Sequence, residues 1–554
     1  MKSILACYIV IIGVKNSTII SLYLAMLKRI LASQNLPRIS LFLFLGLSIG
    51  AIFFFQEWKR NENGQRGVIK YDVISYYSYL PATVIYGDVT LGFIGDGKFK
   101  NNNNFWYEKL ENGKRLVVTS MGLSFMYAPF FFVAHWLAPV LGQPADGFSN
   151  IYQLMLTISG LFYAFLGLIL LKRLLLKYFD PVVTAIVLIA IGLGTNLFYY
   201  ATKEAAMPHS HNFFLITLFV TLVIRWYKNP VWQNSLFVGL VFGLIALVRP
   251  TNILLLLFLL LYGVSSWKSF ADRVVFYLQR WYLVLIMILG FFLPWIPQFL
   301  YWKAVTGHYM FFTYAEKGAT FYFAHPHIID SLFSFRKGWL IYTPVMIIAL
   351  AGMITLRKWA RPWFMVLVIY VTAMIYVQSS WWCWWFGGGF GLRPYISMYP
   401  LLAIPMAYLI NHLRLKKRQW AFGTITALIL LLSAYQLFQI RQFSTQAIHY
   451  SATTFKSYKE NFLKVRPTQK SWEMLQVPDF NLARLGIHVS YPSGESKEAW
   501  SSMDKAEALE KIEEEIAAEP KLQRQIGRYA ERDGLPMDTA MNLVLERMYF
   551  RKCN

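Results

Sequence analysis

The chain has 554 residues, of which 56% are hydrophobic and only 15% are charged, whereas soluble proteins carry about 25% charged residues. This composition excludes an ordinary soluble protein, because so much apolar surface must face lipid. The net charge is +24, which in a membrane protein indicates basic cytoplasmic loops and attraction to anionic lipid before it indicates nucleic-acid binding. The three cysteines, Cys7, Cys383 and Cys553, form no disulfide framework and lack metal-ligand spacing.

Apolar runs along the chain predict eleven membrane-spanning helices. They lie at 39–56, 151–171, 181–199, 212–227, 234–248, 251–266, 281–301, 339–356, 362–378, 395–412 and 419–440. Several are shorter than the roughly 20 residues of a full span, so we expect them to tilt or to cross only in part. The predicted fold class is an all-α polytopic membrane protein with about eleven transmembrane helices, outer-face juxtamembrane helices and a small helical C-terminal tail.

Clusters of lysine and arginine predict the orientation of these helices. With the N-terminus inside, every cluster falls on the cytoplasmic side, as the positive-inside rule requires; the clusters lie at 28–38, 172–177, 225–228, 268–280, 357–361 and 414–418. The apolar run 121–141 would break this order if it crossed the membrane. We therefore interpret it as an interfacial or re-entrant helix on the outer face.

This topology divides the chain into three parts, which are a cytoplasmic N-terminal segment at 1–38, a membrane core at 39–440 and a polar tail at 441–554. We expect residues 1–25 to derive from an upstream start codon or to form a loose cytoplasmic segment, because Met26 precedes a basic cluster. The tail, which we expect outside the membrane as a small solvated appendage, contains two or three amphipathic helices. The outer segments, called loops one to four, are 57–150, 200–211, 302–338 and 379–394.

Loop one carries the first candidate for chemistry, Asp72, shortly after the first span. A carboxylate there can take a proton from an acceptor hydroxyl as a general base. Tyr76 and Tyr77 follow, and their rings can stack on sugars or cover an isoprenoid chain. The alternative is that Asp72 caps a surface helix and that the tyrosines belong to an interfacial belt.

Loop two is short and dense in polar groups. Glu204 is a candidate second acid, and His209 is a candidate for positioning it or for contacting the sugar. The pair His209 and His211 lacks the remaining ligands of a metal site, so we assign no metal ligand and leave a divalent metal open as a cofactor. A plain polar loop is the alternative.

Three cations lie where positive charge is unexpected. Arg249 stands between the fifth and sixth spans, where an arginine is costly and hence a functional candidate, with snorkelling to the interface as the alternative. Arg336 and Lys337 end loop three on the outer side, against the positive-inside trend. They are candidates for binding a donor phosphate together with Arg249, and lipid head groups are the alternative ligands.

Loop four contains four tryptophans, a glycine run and Arg393. Trp381, Trp382 and Arg393 are candidates for contacts with sugar or lipid. The glycines allow close backbone approach, but no strand–turn–helix context makes them a nucleotide motif. An unusually rich interfacial aromatic belt is the alternative.

The order of these features resembles the integral-membrane GT-C glycosyltransferases, which include protein O-mannosyltransferases and lipid A aminoarabinose transferases. It looks closest to the bacterial branch with an RgtA/B/C/D-like domain. The resemblance covers residues 39–440 and depends on five features, none of them highly specific alone. These are Asp72 with the tyrosines after it, the helix at 121–141, Arg249-Pro250-Thr251, Arg336-Lys337-Gly338-Trp339 and loop four.

The resemblance implies a GT-C fold and transfer of a sugar from a polyprenyl-phosphate donor, usually with inversion, on the outer face. Asp72 matches the family's usual base, whereas Glu204 stands where aspartate is more common, and Val73 replaces the second acid of protein-mannosylating members. The expected partners are the lipid-linked donor, a glycan, lipid or protein acceptor and membrane lipids, with no nucleotide or nucleic acid. The expected location is the bacterial inner membrane, with the N-terminus cytoplasmic and the tail periplasmic.

Two other classes of protein fit the same sequence features. A flippase or transporter of lipid-linked glycans would use outward cations and aromatics to bind a lipid phosphate without chemistry. A flippase needs a polar path across both leaflets, whereas the candidates here gather at the outer face. A non-catalytic membrane scaffold, with the tail as a docking module, should tolerate the loss of Asp72.

Overall fold

A computed structural model describes residues 32–59, 67–94, 105–314, 318–416, 418–493, 500 and 502–553. The expectation for residues 1–25 concerns residues outside this described part. Within it, the chain is mainly helical and has almost no sheet, which confirms the predicted polytopic all-α fold class.

Eight described helices are long and apolar enough to cross a membrane. They are Ser33–Phe55, Gly122–Val140, Asn150–Leu175, Pro208–Lys228, Trp281–Thr306, Arg361–Ser379, Arg393–Leu415 and Gln419–Ser444. Shorter apolar helices cover Pro181–Gly192, Trp232–Val248 and Pro250–Leu261. The chain is therefore a multi-pass membrane protein.

The first half of the chain forms thirteen described α-helices. In chain order they are α1 (Leu36–Phe55), α2 (Asp72–Tyr77), α3 (Tyr79–Val84), α4 (Gly122–Val140), α5 (Asn150–Leu175), α6 (Pro181–Gly192), α7 (Leu197–Thr202), α8 (Pro208–Lys228), α9 (Trp232–Val248), α10 (Leu256–Leu261), α11 (Trp267–Gln279), α12 (Trp281–Phe292) and α13 (Ile296–Thr306). Two short antiparallel strands of two residues each form a hairpin within loop one; they are β1 (Glu108–Lys109) and β2 (Arg115–Leu116).

The second half continues with six helices before the tail and six within it. They are α14 (Ile328–Phe333), α15 (Trp339–Tyr342), α16 (Met346–Trp359), α17 (Arg361–Ser379), α18 (Tyr399–Leu415), α19 (Gln419–Ser444), α20 (Phe455–Glu460), α21 (Gln469–Glu473), α22 (Phe480–Arg484), α23 (Lys505–Ala517), α24 (Pro520–Asp533) and α25 (Met537–Cys553). The tail also holds an antiparallel pair, β3 (Gln476–Pro478) and β4 (Ser490–Pro492). A 3-10 turn, Arg393–Met398, leads from loop four into α18.

Two predicted spans are interrupted by residues that belong to no helix. The span predicted at 181–199 is divided between α6 and α7, because the glycines 192 and 194 lower helix propensity at the break. The span predicted at 339–356 is divided between α15 and α16 at Pro344, whose ring and missing N–H disfavour a continuous helix. Both interruptions shorten the regular helix below the length of a full span.

The bundle has two distinct faces. On the face that we call the loop face, an ion pair joins Lys203 of loop two to Glu57 of loop one at 3.3 Å. On the opposite face, Arg414 at the end of α18 pairs with Asp180 at the start of α6. These contacts place loops one and two together, and the C-terminal end of α18 beside the start of α6.

Helix α4 is the apolar run that the sequence places at the outer face. It packs antiparallel along the N-terminal half of α5, where Tyr163 donates to the Met126 carbonyl and His135 lies 2.6 Å from the Tyr152 hydroxyl. Its first turn meets the C-terminal end of α9, and its last turn lies beside the start of α5. Both ends of α4 therefore lie on the loop face, which favours a re-entrant or interfacial helix.

The tail builds its own hydrophobic core from α23, α24 and α25, which includes Ile512, Ile526 and Val544. Asp504 caps α23 by accepting from the Ala506 amide, and Gly534 ends α24 in the left-handed conformation. The three helices begin and end close to the residues expected from the proline and glycine positions. The tail docks on loops three and four, and a second aromatic cluster forms at that junction.

Candidate functional site

Asp72 is the first residue of α2, and the backbone before it is unusual. Tyr71 has a φ of 51° and a ψ of −131°, a conformation that costs a residue other than glycine about 1–3 kcal/mol and is often found at functional sites. The Asp72 side chain is 44% exposed and does not cap the helix. Instead its Oδ2 accepts a hydrogen bond from Nη2 of Arg393 at 2.9 Å.

The pairing with Arg393 leaves part of the carboxylate available. Among the described residues, Oδ1 of Asp72 has no hydrogen-bond partner. Arg393 itself is only 16% exposed and also lies near Glu204 and Tyr200. The alternative of a helix-capping Asp72 does not describe this arrangement, because the carboxylate is directed at a cation 321 residues further along the chain.

Arg393 is positioned by the glycine run of loop four. A Cβ at Gly389 would lie 2.3 Å from the Tyr200 hydroxyl and 3.3 Å from Cδ of Arg393. Only glycine leaves room for this contact, so the backbone of loop four lies directly against both side chains. The Tyr200 hydroxyl in turn donates to the Phe390 carbonyl at 3.3 Å.

Glu204 in loop two faces the same group of cations. Its Oε1 accepts a hydrogen bond from the Tyr199 hydroxyl at 3.0 Å. Burial raises the pKa of the Glu204 carboxyl, and the charges of Arg393 and Lys337 oppose that rise. Arg393 therefore stands between two carboxyl groups, those of Asp72 and Glu204.

Lys337 is almost fully buried, with 1% of its surface exposed. Its ammonium donates to the Gly389 carbonyl and lies 5.2 Å from the centre of the Phe443 ring. Burial lowers the pKa of Lys337 to about 7, although the nearby Glu204 carboxyl favours the charged form. An ammonium with one carbonyl partner in such surroundings is well suited to an anionic ligand.

Arg249 and His209 extend the site along the end of α9 and the start of α8. Nη1 of Arg249 lies 3.2 Å from Nδ1 of His209, and the His209 ring packs against Tyr200 with ring centres 4.6 Å apart. Arg249 also lies near Tyr76 and Tyr314, which share a hydrogen bond. Arg249 is half-buried and oriented inward, so snorkelling to an interface does not describe it.

Seven of the candidate residues from the sequence come together in this cluster, which we call the carboxylate cluster. They are Asp72, Tyr76, Glu204, His209, Arg249, Lys337 and Arg393. Sequence reasoning missed Tyr200 and Tyr314, since both lie in aromatic stretches that are indistinguishable from a lipid-facing belt before the fold is known.

Four other candidates lie elsewhere. Tyr77 is buried and donates to the Gly147 carbonyl at 2.5 Å, so it packs loop one internally. The Arg336 guanidinium binds the tail, at 3.1 Å from the Gln476 carbonyl and 2.8 Å from the Ser490 hydroxyl. Trp381 and Trp382 take part in the junction with the tail, where Trp382 packs against Phe480 and Arg484.

The side chains of this cluster do not form a binding site for a divalent metal. Asp72 and Glu204 are separated by the Arg393 guanidinium, and no group of three or more metal-ligating side chains occurs in the described ranges. The positive charge that a metal would supply here comes from the side chains themselves. The carboxylate cluster thus combines one accessible carboxylate with three closely placed cations.

No family model and no curated protein sequence matches the chain. Ten chains among solved structures match, including the archaeal oligosaccharyltransferase AglB from Archaeoglobus fulgidus, in complex with an inhibitory peptide and a dolichol-phosphate. That match has a TM-score of 0.43 and 12% sequence identity, and it covers 78% of this chain and 60% of that chain.

Proposed function

We propose that the protein is a membrane glycosyltransferase that moves a sugar from a polyprenyl-phosphate donor to an acceptor of the cell envelope. The observation that carries this proposal is the Asp72 carboxylate, which is held by Arg393 through one oxygen and has the other oxygen free. General-base catalysis requires a carboxylate that is both positioned and accessible. The cations beside it supply the complementary site for a departing phosphate.

The proposed reaction is a direct displacement. An acceptor hydroxyl gives its proton to Asp72 while its oxygen forms a bond to the anomeric carbon of the sugar. The bond from that carbon to the phosphate oxygen breaks, and the electron pair leaves with polyprenyl phosphate. Attack from the face opposite the leaving group inverts the anomeric configuration.

The proposed phosphate ligands are Lys337 and Arg249. Lys337 is buried beside Glu204 with a single carbonyl partner, and Arg249 is half-buried near Asp72. Arg336, the third cation expected to bind the donor, has its guanidinium committed to the tail. We therefore assign Arg336 a positioning role, in which it fixes the loop that carries Lys337.

The proposed location of the reaction is the outer, periplasmic face of a bacterial inner membrane, at the loop face. Tyr76, Tyr200 and Tyr314 would contact the sugar or the first isoprene units, because their rings surround the cluster. A flippase would need charged groups along a path to the opposite face. The carboxylate cluster instead gathers at one face, which supports transfer over transport.

The decisive experiment compares Asp72→Asn with Glu204→Gln in purified protein supplied with a synthetic polyprenyl-phosphate sugar. Asparagine keeps the size of aspartate and can still face Arg393, but it cannot accept the hydroxyl proton. We expect Asp72→Asn to lose at least about two decades of transfer rate while it still binds the donor. Full activity in both variants would contradict the enzyme proposal and favour a flippase or scaffold, and loss in Glu204→Gln alone would move the base to loop two.

A further inference from the structure

A second set of cavities lies at the junction of loop three and the tail, apart from the carboxylate cluster. One cavity of about 450 Å³ lies beside Arg336 and Trp384, and another of about 880 Å³ runs along α24. They share His327, Asp330 and Lys521 in their walls, so they are neighbouring parts of one surface region. We call it the tail groove, and its size is that of a ligand site.

The charge of the tail groove is predominantly positive. Four cations line it, Arg336, Lys521, Arg528 and Arg532, against the carboxylates of Asp330 and Glu531. Asp330 is already engaged by His327, with 2.9 Å between Oδ2 and Nδ1. An anionic ligand is therefore the complementary occupant.

Two of these cations are uncommitted. Arg532 binds Asp533 and the Tyr322 hydroxyl, but Lys521 and Arg528 form no hydrogen bond or ion pair with any other residue that the structure describes. Both project from the same face of α24 toward the groove, since a separation of seven residues is two helical turns. Two free cations about two turns apart match charges spaced along an extended ligand.

The opposite wall of the groove is aromatic. The rings of Phe321 and Phe323 lie parallel with centres 5.3 Å apart, and Phe323 is 46% exposed. Deeper in the groove, His327 stacks on Trp384 at 5.8 Å. Phe323 also stacks on Tyr376 at 5.9 Å, so the wall presents mainly the edges of its rings to the groove. An exposed aromatic surface near cations suits a sugar that carries a carboxylate or a phosphate, because the apolar C–H groups pack against the rings and the anion meets a cation.

A line of aromatic contacts connects the groove to the carboxylate cluster. Phe321 pairs with Trp381 through a β-bridge, with ring centres 4.7 Å apart. Trp381 contacts Tyr314 at 5.9 Å, and Tyr314 is hydrogen-bonded to Tyr76 near Asp72. The groove and the proposed base are thus joined by successive side-chain contacts.

We infer that the tail groove binds the acceptor and that the acceptor is an anionic saccharide, a chain whose sugars bear carboxylate or phosphate groups. That the bound saccharide is the acceptor rests on the proposed function, whereas binding of the saccharide depends only on the groove. Lys521 and Arg528 bind the anionic groups, and the Phe321–Phe323 wall packs against the sugar rings. The tail is in this view part of the substrate site.

The test measures direct binding to the full-length protein in nanodiscs of neutral phosphatidylcholine. The probes are a uronate hexasaccharide, a neutral maltohexaose and a hexa-aspartate peptide. The binding of each probe is measured by calorimetry at two salt concentrations. We expect the uronate to bind most tightly and to weaken as salt rises. Equal binding of maltohexaose, or equal binding of hexa-aspartate, would overturn the inference of an anionic saccharide.

The matched variants are Lys521→Gln, Arg528→Gln and Arg547→Gln. Each of the first two should weaken uronate binding by roughly tenfold, since a charge-assisted contact is lost. Arg547 is an exposed arginine of α25 that does not line the groove, so Arg547→Gln should bind as the wild type does. Unchanged binding in both groove variants would overturn the assignment.

The outcome is separable from that of the proposed function. Binding of the uronate does not require catalysis, so Asp72→Asn should retain it. If the uronate fails to bind while transfer still depends on Asp72, the groove inference is wrong and the enzyme proposal stands. If the uronate binds through Lys521 and Arg528 but transfer is indifferent to Asp72, the groove inference stands and the enzyme proposal is wrong.

Discussion

Lys337 is the residue of the carboxylate cluster whose charge is most sensitive to its surroundings. Its burial favours the neutral amine and lowers its pKa to about 7, whereas an ordinary lysine stays charged to about pH 10.4. A phosphodiester donor keeps a constant negative charge over the same range, so the lysine alone changes the attraction between them. We therefore predict that binding of the proposed donor is coupled to proton uptake by Lys337 above pH 7.

This coupling predicts that donor affinity falls as pH rises through about 7. Below that pH the ammonium is present and the attraction is complete, and above it the neutral amine must first be protonated. The measurement is donor binding between pH 6 and pH 9. The Lys337→Gln variant should bind the donor more weakly by one to two decades, corresponding to about 1.5–3 kcal/mol for a charge-assisted contact. Its donor affinity should not change with pH. Glu204→Gln should shift the midpoint to lower pH, because Glu204 favours the charged lysine; a flat wild-type profile would contradict the assignment.

Gly389 is the residue that allows loop four to approach the site. Gly389→Ala should displace Tyr200 or Arg393, because the added methyl group would lie 2.3 Å from the Tyr200 hydroxyl. We expect kcat to fall by about a decade or more with a smaller change in KM, since misplaced catalytic geometry affects the reacting groups first. Gly388→Ala is the matched control, because its new methyl group would meet Tyr450 at an ordinary 3.5 Å. Equal effects of the two substitutions would show that the close approach is unimportant.

Neighbouring residues also show what the sequence could not predict. Asp72, Glu204 and the outward cations were recognisable because charge in an apolar chain is conspicuous. The sequence did not distinguish the roles of Tyr76 and Tyr77. Tyr76 lies at the carboxylate cluster, whereas Tyr77 packs loop one internally through its hydrogen bond to the Gly147 carbonyl. Successive residues on a helix point about 100° apart, so only the packing of α2 decides which tyrosine faces the site.

At the scale of elements, α4 decides the topology. Its length and hydropathy would allow it to cross a membrane, but its contacts run along the N-terminal half of α5 and both its ends lie on the loop face. An impermeant thiol reagent should therefore label Glu111→Cys and Pro144→Cys from the same side of intact cells, in a background without the native cysteines. Labelling of Pro144→Cys only after permeabilisation would mean that α4 crosses the bilayer.

Loop three shows a different limit of sequence reasoning at this scale. Arg336 and Lys337 were expected to act as a pair on the same phosphate, because both oppose the positive-inside trend. The structure directs them to different partners, the tail and the carboxylate cluster. The partner of each cation is determined by residues 52 to 154 positions away in the chain. Local sequence patterns do not indicate such distant contacts.

At the scale of the whole molecule, contacts between distant segments constrain the membrane orientation. The tail contacts loop three through Tyr322, whose hydroxyl donates to the Arg484 carbonyl at 2.5 Å, so loop three and the tail share a face. Reporter fusions after residues 325 and 460 should therefore report the same compartment, which the positive-inside rule identifies as the outside. Fusions after residues 177 and 416 should both report the cytoplasm, since Asp180 pairs with Arg414. A cytoplasmic signal at 460 would contradict the eleven-span topology.

The fold class could be predicted from composition and apolar runs, because the bilayer imposes helices on any chain of this hydropathy. The carboxylate cluster could be predicted only as a set of separate candidates in four loops. Its assembly depends on pairs such as Asp72 and Arg393, 321 residues apart, which no periodicity records. The tail groove could not be predicted, since half of its lining comes from a segment that the sequence presents as a plain amphipathic appendage.

The anchorage of Arg336 has a consequence for biosynthesis. Its guanidinium binds a carbonyl that lies 140 residues later in the chain, so the loop that carries Lys337 gains this anchor only after β3 and β4 have been translated and have reached the loop face. Chains fold progressively from the N-terminus during synthesis. A nascent chain that already contains every residue of the carboxylate cluster would then still lack this anchor of the loop, which would form only in one of the last steps of maturation.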